Sequence, residues 1–404
     1  MSEASVARQP IFDRRLQVVG YELLFRGPRA LNGDVLDNEN ATTTVALNAL
    51  TEIGLQRIVG SHRAWINASR EFLLNGLALA LPPELIGYEI LEEQAIDDEL
   101  VAAVADLGRR GYSLSLDDYQ FTPETEPLLE LVDIVKLDFL ALGREGMAEH
   151  ATRLRPYGVQ LLAEKVEAHE DHHYCMELGC ELFQGFFYRK PELLTNRRIE
   201  ANRLSLLKLM AALHDPATDL HAVEQLITRD VTLSLRLLRY INSAFFGLRH
   251  EVSSVKQALA LLGMENLRGW TTLTMFAAID TKPSELTVNA LLRARFCELA
   301  GETDATGDSQ LFTLGLFSVI DALMDAPIEE ILKSIPFPPE MHNALVGRQG
   351  EMGRLLDCVI ALEIGDFDRA ETLLPGSGQL YLEALSWTTE AAKQLFDDAG
   401  LVAA

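Results

Sequence analysis

The stretch YEILEEQAIDDELVAAVADLGRRGYSLSLD, residues 88–117, decides the fold. It opens on the apolar run YEIL (88–91), passes through DDELVAAVADLGRRG (97–111) and closes on SLSLD (113–117). The two ends have strand length, while apolar residues recur at helical spacing between them. A strand, a helix and a strand in that order call for parallel strands joined by a crossover. The alternation extends in both directions. VVGYELLF (18–25) and AWIN (64–67) lie upstream; DIVKLDF (133–139), VQLLAE (159–164) and ELFQGFF (181–187) lie downstream. ATTTVALNALTEI (41–53) and EDHHYCMELG (170–179) supply further helix-like segments. Seven or eight such units between residues 7 and 190 predict a compact (β/α)8-type barrel. QPIFDRRLQVVGYELLF (9–25) reads as a hairpin around Asp13-Arg14-Arg15, which predicts one antiparallel strand.

Beyond Asn196 the character changes, and helical periodicity runs nearly unbroken to the end. The expected architecture is therefore an α/β barrel over residues 1–192 followed by an all-helical domain over 193–404, with the join at Lys190-Pro191-Glu192. The 404 residues are 48% hydrophobic and 24% charged, enough for sizeable cores. A formal net charge of −25 argues against a nucleic-acid-binding surface. Arg236, Arg239, Arg249 and His250 form the nearest thing to a basic strip, and it is weak in so acidic a chain. Cys175, Cys180, Cys297 and Cys358 form no CxxC pair and fit a reducing compartment. The N-terminus lacks the features of a signal peptide, and no run approaches the ~18 apolar residues of a membrane span. A cytoplasmic protein without a membrane span is expected.

Polar residues stand where the apolar runs stop: Glu22, Asn67, Glu89, Asp117, Asp118, Lys136, Glu164 and Gln184. Singly, each reads as an ordinary strand-end cap or surface carboxylate. Together, at successive strand ends of one barrel, they converge on the mouth where such folds keep their chemistry. Carboxylates with an Asn make a hard, oxygen-rich set suited to Mg²⁺ or Mn²⁺. A Lys and a further Glu beside it could orient a water and take its proton.

These residues also carry a family resemblance. Residues 7–192 resemble the EAL domain, a barrel that hydrolyses cyclic di-GMP. The matching motifs are Glu22-Leu23-Leu24-Phe25-Arg26, Asn67, Glu89-Ile90-Leu91-Glu92, Asp117-Asp118, Lys136-Leu137-Asp138, Ala163-Glu164-Lys165-Val166-Glu167 and Gln184-Gly185. The resemblance implies that Glu22, Asn67, Glu89 and Asp117 hold a Mg²⁺ or Mn²⁺ ion and that Asp118 serves a second. It makes Lys136 the residue that positions water, Glu164 the general base, and Leu24, Arg26 and Gln184 ligand contacts. Two departures bear on activity. After the Asp pair the family has a Gly-rich loop, whereas this chain reads Tyr119-Gln120-Phe121-Thr122-Pro123-Glu124-Thr125. Without its glycines this loop is expected either to serve as a docking surface for the helical domain or a second subunit, or to tuck Phe121 into its own barrel. Lys165 replaces Gly, and its cation is expected to depress the Glu164 pKa or to compete with a metal.

The stretch 232–270 resembles the HDOD domain, a helical output module related to metal-dependent phosphohydrolases. The resemblance rests on Asp230, Leu233, Asn242-Ser243, Ser253-Ser254 and Leu262-Gly263. Where the relatives keep a metal-binding His-Asp dyad, this chain has Ser318-Val319, and Val cannot ligate a metal. Together the two resemblances describe a bacterial EAL-plus-HDOD signalling protein. Three functions stay open. The first is a degenerate EAL domain that senses cyclic di-GMP and signals to a protein partner through the HDOD domain. The second is an active Mg²⁺- or Mn²⁺-dependent phosphodiesterase that makes linear pGpG. The third is a nucleotide-independent scaffold. The altered loop 119–125 favours the first; homo-oligomerisation is left open.

Overall fold

The computed structural model describes residues 5–26, 54–91, 94–190, 209, 213, 219–228, 233–234, 237–238, 241, 252–277, 282–301, 308–333 and 337–398. The helix-like stretch 41–53, Glu92, Arg236, Arg239, Asn242, Ser243, Arg249 and His250 lie outside the described residues.

Eight strands close a barrel in sequence order: β1 (Ser5–Asp13), β2 (Val18–Arg26), β3 (Arg63–Ala68), β4 (Ile86–Ile90), β5 (Ser113–Leu116), β6 (Ile134–Asp138), β7 (Gln160–Glu164) and β8 (Leu182–Phe183). β1 runs antiparallel to both its neighbours, β2 and β8, and the other pairs are parallel. The reversal follows from the short connection at Asp13. Its Oδ1 accepts the backbone N–H groups of Arg15 and Gln17, and Leu16 takes a left-handed φ of 60°. Strands joined by two to four residues have to pair antiparallel, whereas helix crossovers leave the later ones parallel.

The stretch 88–117 forms the expected unit. β4 is buried along its whole length, as a parallel strand covered on both faces should be. The helix Asp98–Arg109 starts where Asp97 accepts the Leu100 N–H, and it carries Asp98 and Glu99 in its first turn. Leu100, Val104 and Leu107 form its buried stripe. Inside the barrel, Ile11, Trp65, Ile134, Leu162 and Leu182 pack as one cluster. The indole of Trp65 needs a glycine beside it: a Cβ on Gly87 would come within 2.5 Å of the ring.

By backbone proximity the chain forms two compact units. One comprises Met1–Lys190, Pro283–Val288 and Asp357–Lys393; the other comprises Pro191–Lys282, Asn289–Leu356 and Gln394–Ala404. The barrel unit thus includes pieces from far along the chain, bound through buried polar groups. Tyr21 Oη donates to Glu285 Oε2 at 2.7 Å, and the Arg8 guanidinium lies over the Tyr21 ring at 4.2 Å. Arg189 Nη1 meets Glu363 Oε2 at 2.8 Å. Burial drives the Glu285 carboxyl upward in pKa, while Arg8 opposes it.

The second unit contains the described helices Leu220–Thr228, Val255–Ala277, Asp308–Phe317, Ile320–Met324, Ile328–Leu332 and Pro339–Gly347. Pro327 and Pro338 stand at the N-caps of the last two, a position that costs no helical hydrogen bond. Ser318 is buried, donates to the Gly315 carbonyl at 2.6 Å and accepts from Arg293 at 3.1 Å. At the dyad position the hydroxyl therefore serves the local backbone. Among the described residues no helix is long and apolar enough to cross a membrane, and the four cysteines are buried and form no disulfide.

Candidate active site at the barrel mouth

The parallel register gathers the strand-end polar residues. Asn67 and Glu89 stand side by side on β3 and β4, and Asp138 stands beside Glu164 on β6 and β7. Side chains alternate along a strand, so Glu22, Glu89, Lys136 and Glu164 all reach the barrel interior. Their meeting point is Lys136 Nζ. It lies 2.7 Å from Glu89 Oε2, 2.8 Å from Glu164 Oε1, 2.9 Å from Asp117 Oδ1 and 3.3 Å from Glu22 Oε2. Gln184 Nε2 donates to Glu22 Oε2 at 2.7 Å and to Gln9 Oε1 at 3.0 Å. Gln9 was not evident from strand ends; the β1–β2 register, which sets it opposite Glu22, is the signal that finds it.

Four carboxylates share one ammonium that is 1% exposed, so negative charge is in excess. Burial works against the Lys136 ammonium, yet Glu164, Glu22, Glu89 and Asp117 outweigh it and hold the pKa well above the usual lysine range. The excess falls on the acids. Burial, then Glu22, pushes Glu89 far up while Lys136 pulls it back. Burial raises Glu164 to about 8, again against the pull of Lys136. Asp118 is raised by burial and by Asp117.

Lys165 turns its ammonium to Asp138. Its Nζ bonds Asp138 Oδ2 at 2.5 Å and its side chain is half exposed. Glu164 is raised, not depressed, because burial, with Asp117 and Glu22 beside it, outweighs the pull of Lys136. The backbone at Lys165 has φ 52°, the left-handed region that its replaced glycine would adopt without strain. Of the two outcomes expected for the loop after Asp118, its aromatic groups take the one within the barrel. Tyr119 is buried, Phe121 packs on it at 4.9 Å, and Arg153 lies over the Phe121 ring at 3.6 Å. Arg153 belongs to the barrel's own helix Phe139–Leu154, so the loop's aromatic groups are covered within the barrel. Thr125 ties the turn by donating to the Gln120 carbonyl at 2.9 Å.

Leu24 and Arg26 lie at the outer end of β2. Arg26 Nη2 meets Asp368 Oδ1 at 2.5 Å, and Leu24 lies against Gly365. Asp368 carried no signal in the sequence, because 342 positions separate it from its partner. His169, His172 and His173 form no ligand set: His169 Nε2 lies 2.9 Å from the Lys190 carbonyl, and the buried His172 stacks on Phe187 at 4.5 Å.

The residues at the mouth fit a hard divalent cation by donor chemistry. Asn67 Oδ1, Glu89 Oε1 and Asp118 Oδ1 are buried oxygens without a hydrogen-bond partner, in an environment that is short of positive charge. Among the described residues, no three His, Cys, Asp or Glu side chains are disposed around a common ion position. The acids are arranged on Lys136 instead, and a cation would draw them partly away from it.

The HDOD domain family model matches residues 204–325. The chain is 35% identical over 372 residues to the cyclic di-GMP phosphodiesterase CdgJ of Vibrio cholerae, covering 91% of this chain and 86% of that protein. It is 32% identical over 400 residues to YuxH of Bacillus subtilis, covering 95% and 97%. Among solved structures, a standalone EAL protein from Vibrio cholerae O395 in its c-di-GMP-bound form shares 22% identity at a TM-score of 0.36, over 46% of this chain and 90% of that one.

Proposed function

The chain belongs to the family of bacterial signalling proteins that join an EAL barrel to an HDOD domain, and from that membership we propose that its barrel binds cyclic di-GMP and retains the groups for hydrolysing it to linear pGpG. The observation that carries this reading is the convergence of Glu22, Glu89, Asp117 and Glu164 on one buried ammonium. Glu22, Asn67, Glu89, Asp117 and Asp118 would hold Mg²⁺ or Mn²⁺, which when bound supplies positive charge against the phosphodiester and makes water more acidic. Leu24, Arg26 and Gln184 would contact the nucleotide, the Arg fork suiting a phosphate. Glu164 accepts the proton of the attacking water, and Lys136 holds that carboxylate in place. A base at about 8 is mostly protonated at neutral pH, so Glu164 works only once positive charge or a higher pH has ionised it.

A second reading, nucleotide sensing without turnover, is favoured by the loop 119–125, which Tyr119, Phe121 and Arg153 pin to the barrel. In either case the HDOD domain serves as the output toward a protein partner. As sequence modules we place the barrel at 1–192 and the helical domain at 193–404. A cytoplasmic location suits four cysteines that form no disulfide. Calorimetric titration of cyclic di-GMP in the presence of Ca²⁺, followed by a Mn²⁺ turnover assay, tests the proposal. Binding with turnover supports the phosphodiesterase, binding alone supports the sensor, and neither rejects both in favour of a scaffold.

A further inference from the structure

At the outer end of β2 the mouth meets a segment from far along the chain within the same compact unit. Glu22, Leu24 and Arg26 share one face of β2, because strand side chains alternate. Gly365 presses on this face: a Cβ there would lie 2.7 Å from Leu24 Cδ1, and the residue has φ 78°. Three residues on, Asp368 Oδ1 accepts from Arg26 Nη2 at 2.5 Å. The segment is held at its start. The Arg189–Glu363 ion pair anchors its start, with the Glu363 side chain 1% exposed. Asp366 caps the helix Phe367–Leu373 by accepting the Arg369 N–H. The Asp368 carboxylate is thus presented to Arg26 from a built support, yet it is itself 70% exposed and open to exchange.

The contact joins one guanidinium nitrogen to one carboxylate oxygen. A phosphodiester offers two oxygens to the same fork and forms the stronger bidentate pair. It cannot do so without meeting the Asp368 charge at the same guanidinium.

We propose that Asp368 is an internal competitor for Arg26: an anionic phosphodiester ligand entering the mouth takes the guanidinium from Asp368, so the C-terminal segment 364–373 sets ligand affinity and loosens when ligand binds. The inference rests on the reading of the barrel as a cyclic di-GMP site, and it names a regulatory contact of that site. Because coupling is reciprocal, whatever strengthens the docking of this segment weakens the ligand, and the ligand weakens the docking.

The test is calorimetric titration of cyclic di-GMP, with Ca²⁺ present, into the full chain and its Asp368→Asn, Arg26→Ala and double variants. Asp368→Asn should bind about two- to fivefold more tightly, the range an exposed ion pair can supply. The gain should shrink in about 0.5 M NaCl, where screening is strong, and vanish in the Arg26→Ala background. Amide exchange across 367–373 should speed up when wild type is saturated with nucleotide. Equal or weaker binding by Asp368→Asn, or the same gain without Arg26, overturns the competitor while leaving the nucleotide site standing. Binding by none of the four chains overturns the nucleotide site and the competitor with it.

Discussion

Replacing Lys136 by Met keeps the length of the side chain and removes its charge. The ammonium it deletes lies within 3.3 Å of four carboxylates and is 1% exposed. Removing one partner of a buried ion pair costs about 3–5 kcal/mol, because the other charge is left without compensation. Here four acids lose their common cation, and they recover part of the cost by taking up protons. Glu89 and Glu164 already lie above the usual carboxylate range, and the loss of Lys136 raises them further. The acids of the folded variant therefore hold more protons than they do in wild type, while Lys136 was protonated in both folded and unfolded wild type, so the deficit grows with pH. The expected loss is about 3–5 kcal/mol at pH 8 and clearly smaller at pH 5. Urea unfolding followed by the fluorescence of Trp65, which is buried in the barrel core, measures it once Trp270 and Trp387 are replaced by Phe. A loss below about 1 kcal/mol, or one that is equal at the two pH values, would refute the claim that this ammonium neutralises the site.

Glu164→Gln tests the pH sign. A carboxyl raised from 4.5 to about 8 stabilises the fold below pH 4.5, and that stability is lost as pH rises toward 8. The melting temperature of wild type should fall across this window, and that of the variant should fall less; parallel curves would reject the assignment. Mn²⁺ should raise the melting temperature more at pH 8 than at pH 6, because ligation requires ionised carboxylates, and an equal rise at both would contradict it. Glu363→Ala leaves Arg189 without its buried partner and should cost about 3–5 kcal/mol in urea unfolding; a loss no larger than a surface substitution would show that the segment is merely apposed. Gly185→Ala should destabilise the barrel and weaken nucleotide binding. Its Cβ would lie 2.1 Å from the Val166 carbonyl oxygen at φ 140°, so the turn carrying Gln184 has to move. Wild-type melting and affinity in that variant would contradict the reading.

The barrel was legible in the sequence because its signals are local. The stretch 88–117 states strand, helix and strand through periodicity, and Asp13 turns the first hairpin through its own side chain. The candidate site residues could be picked out for a related reason: each is a polar residue within or at the end of an apolar run, and the topology of a closed barrel brings neighbouring runs together. Their electrostatics were not legible. Lys165 promised a cation beside Glu164, but whether it lowers a pKa depends on burial and on where its ammonium points, and it points to Asp138. The destination of Phe121 was equally hidden, since an aromatic in a loop needs a neighbour and only packing decides whether Arg153 or another surface provides it. Arg8, Tyr21, Arg26 and Arg189 each have a partner some 170 to 380 positions away in the chain. Periodicity and motif spacing reach over tens of residues, whereas polar contacts at such separations depend on how completed elements come together. By itself the sequence determined a barrel with a carboxylate-rich mouth and a helical partner. Only the tertiary structure decided that segments 283–288 and 357–393 belong to the barrel unit and that Asp368 holds Arg26.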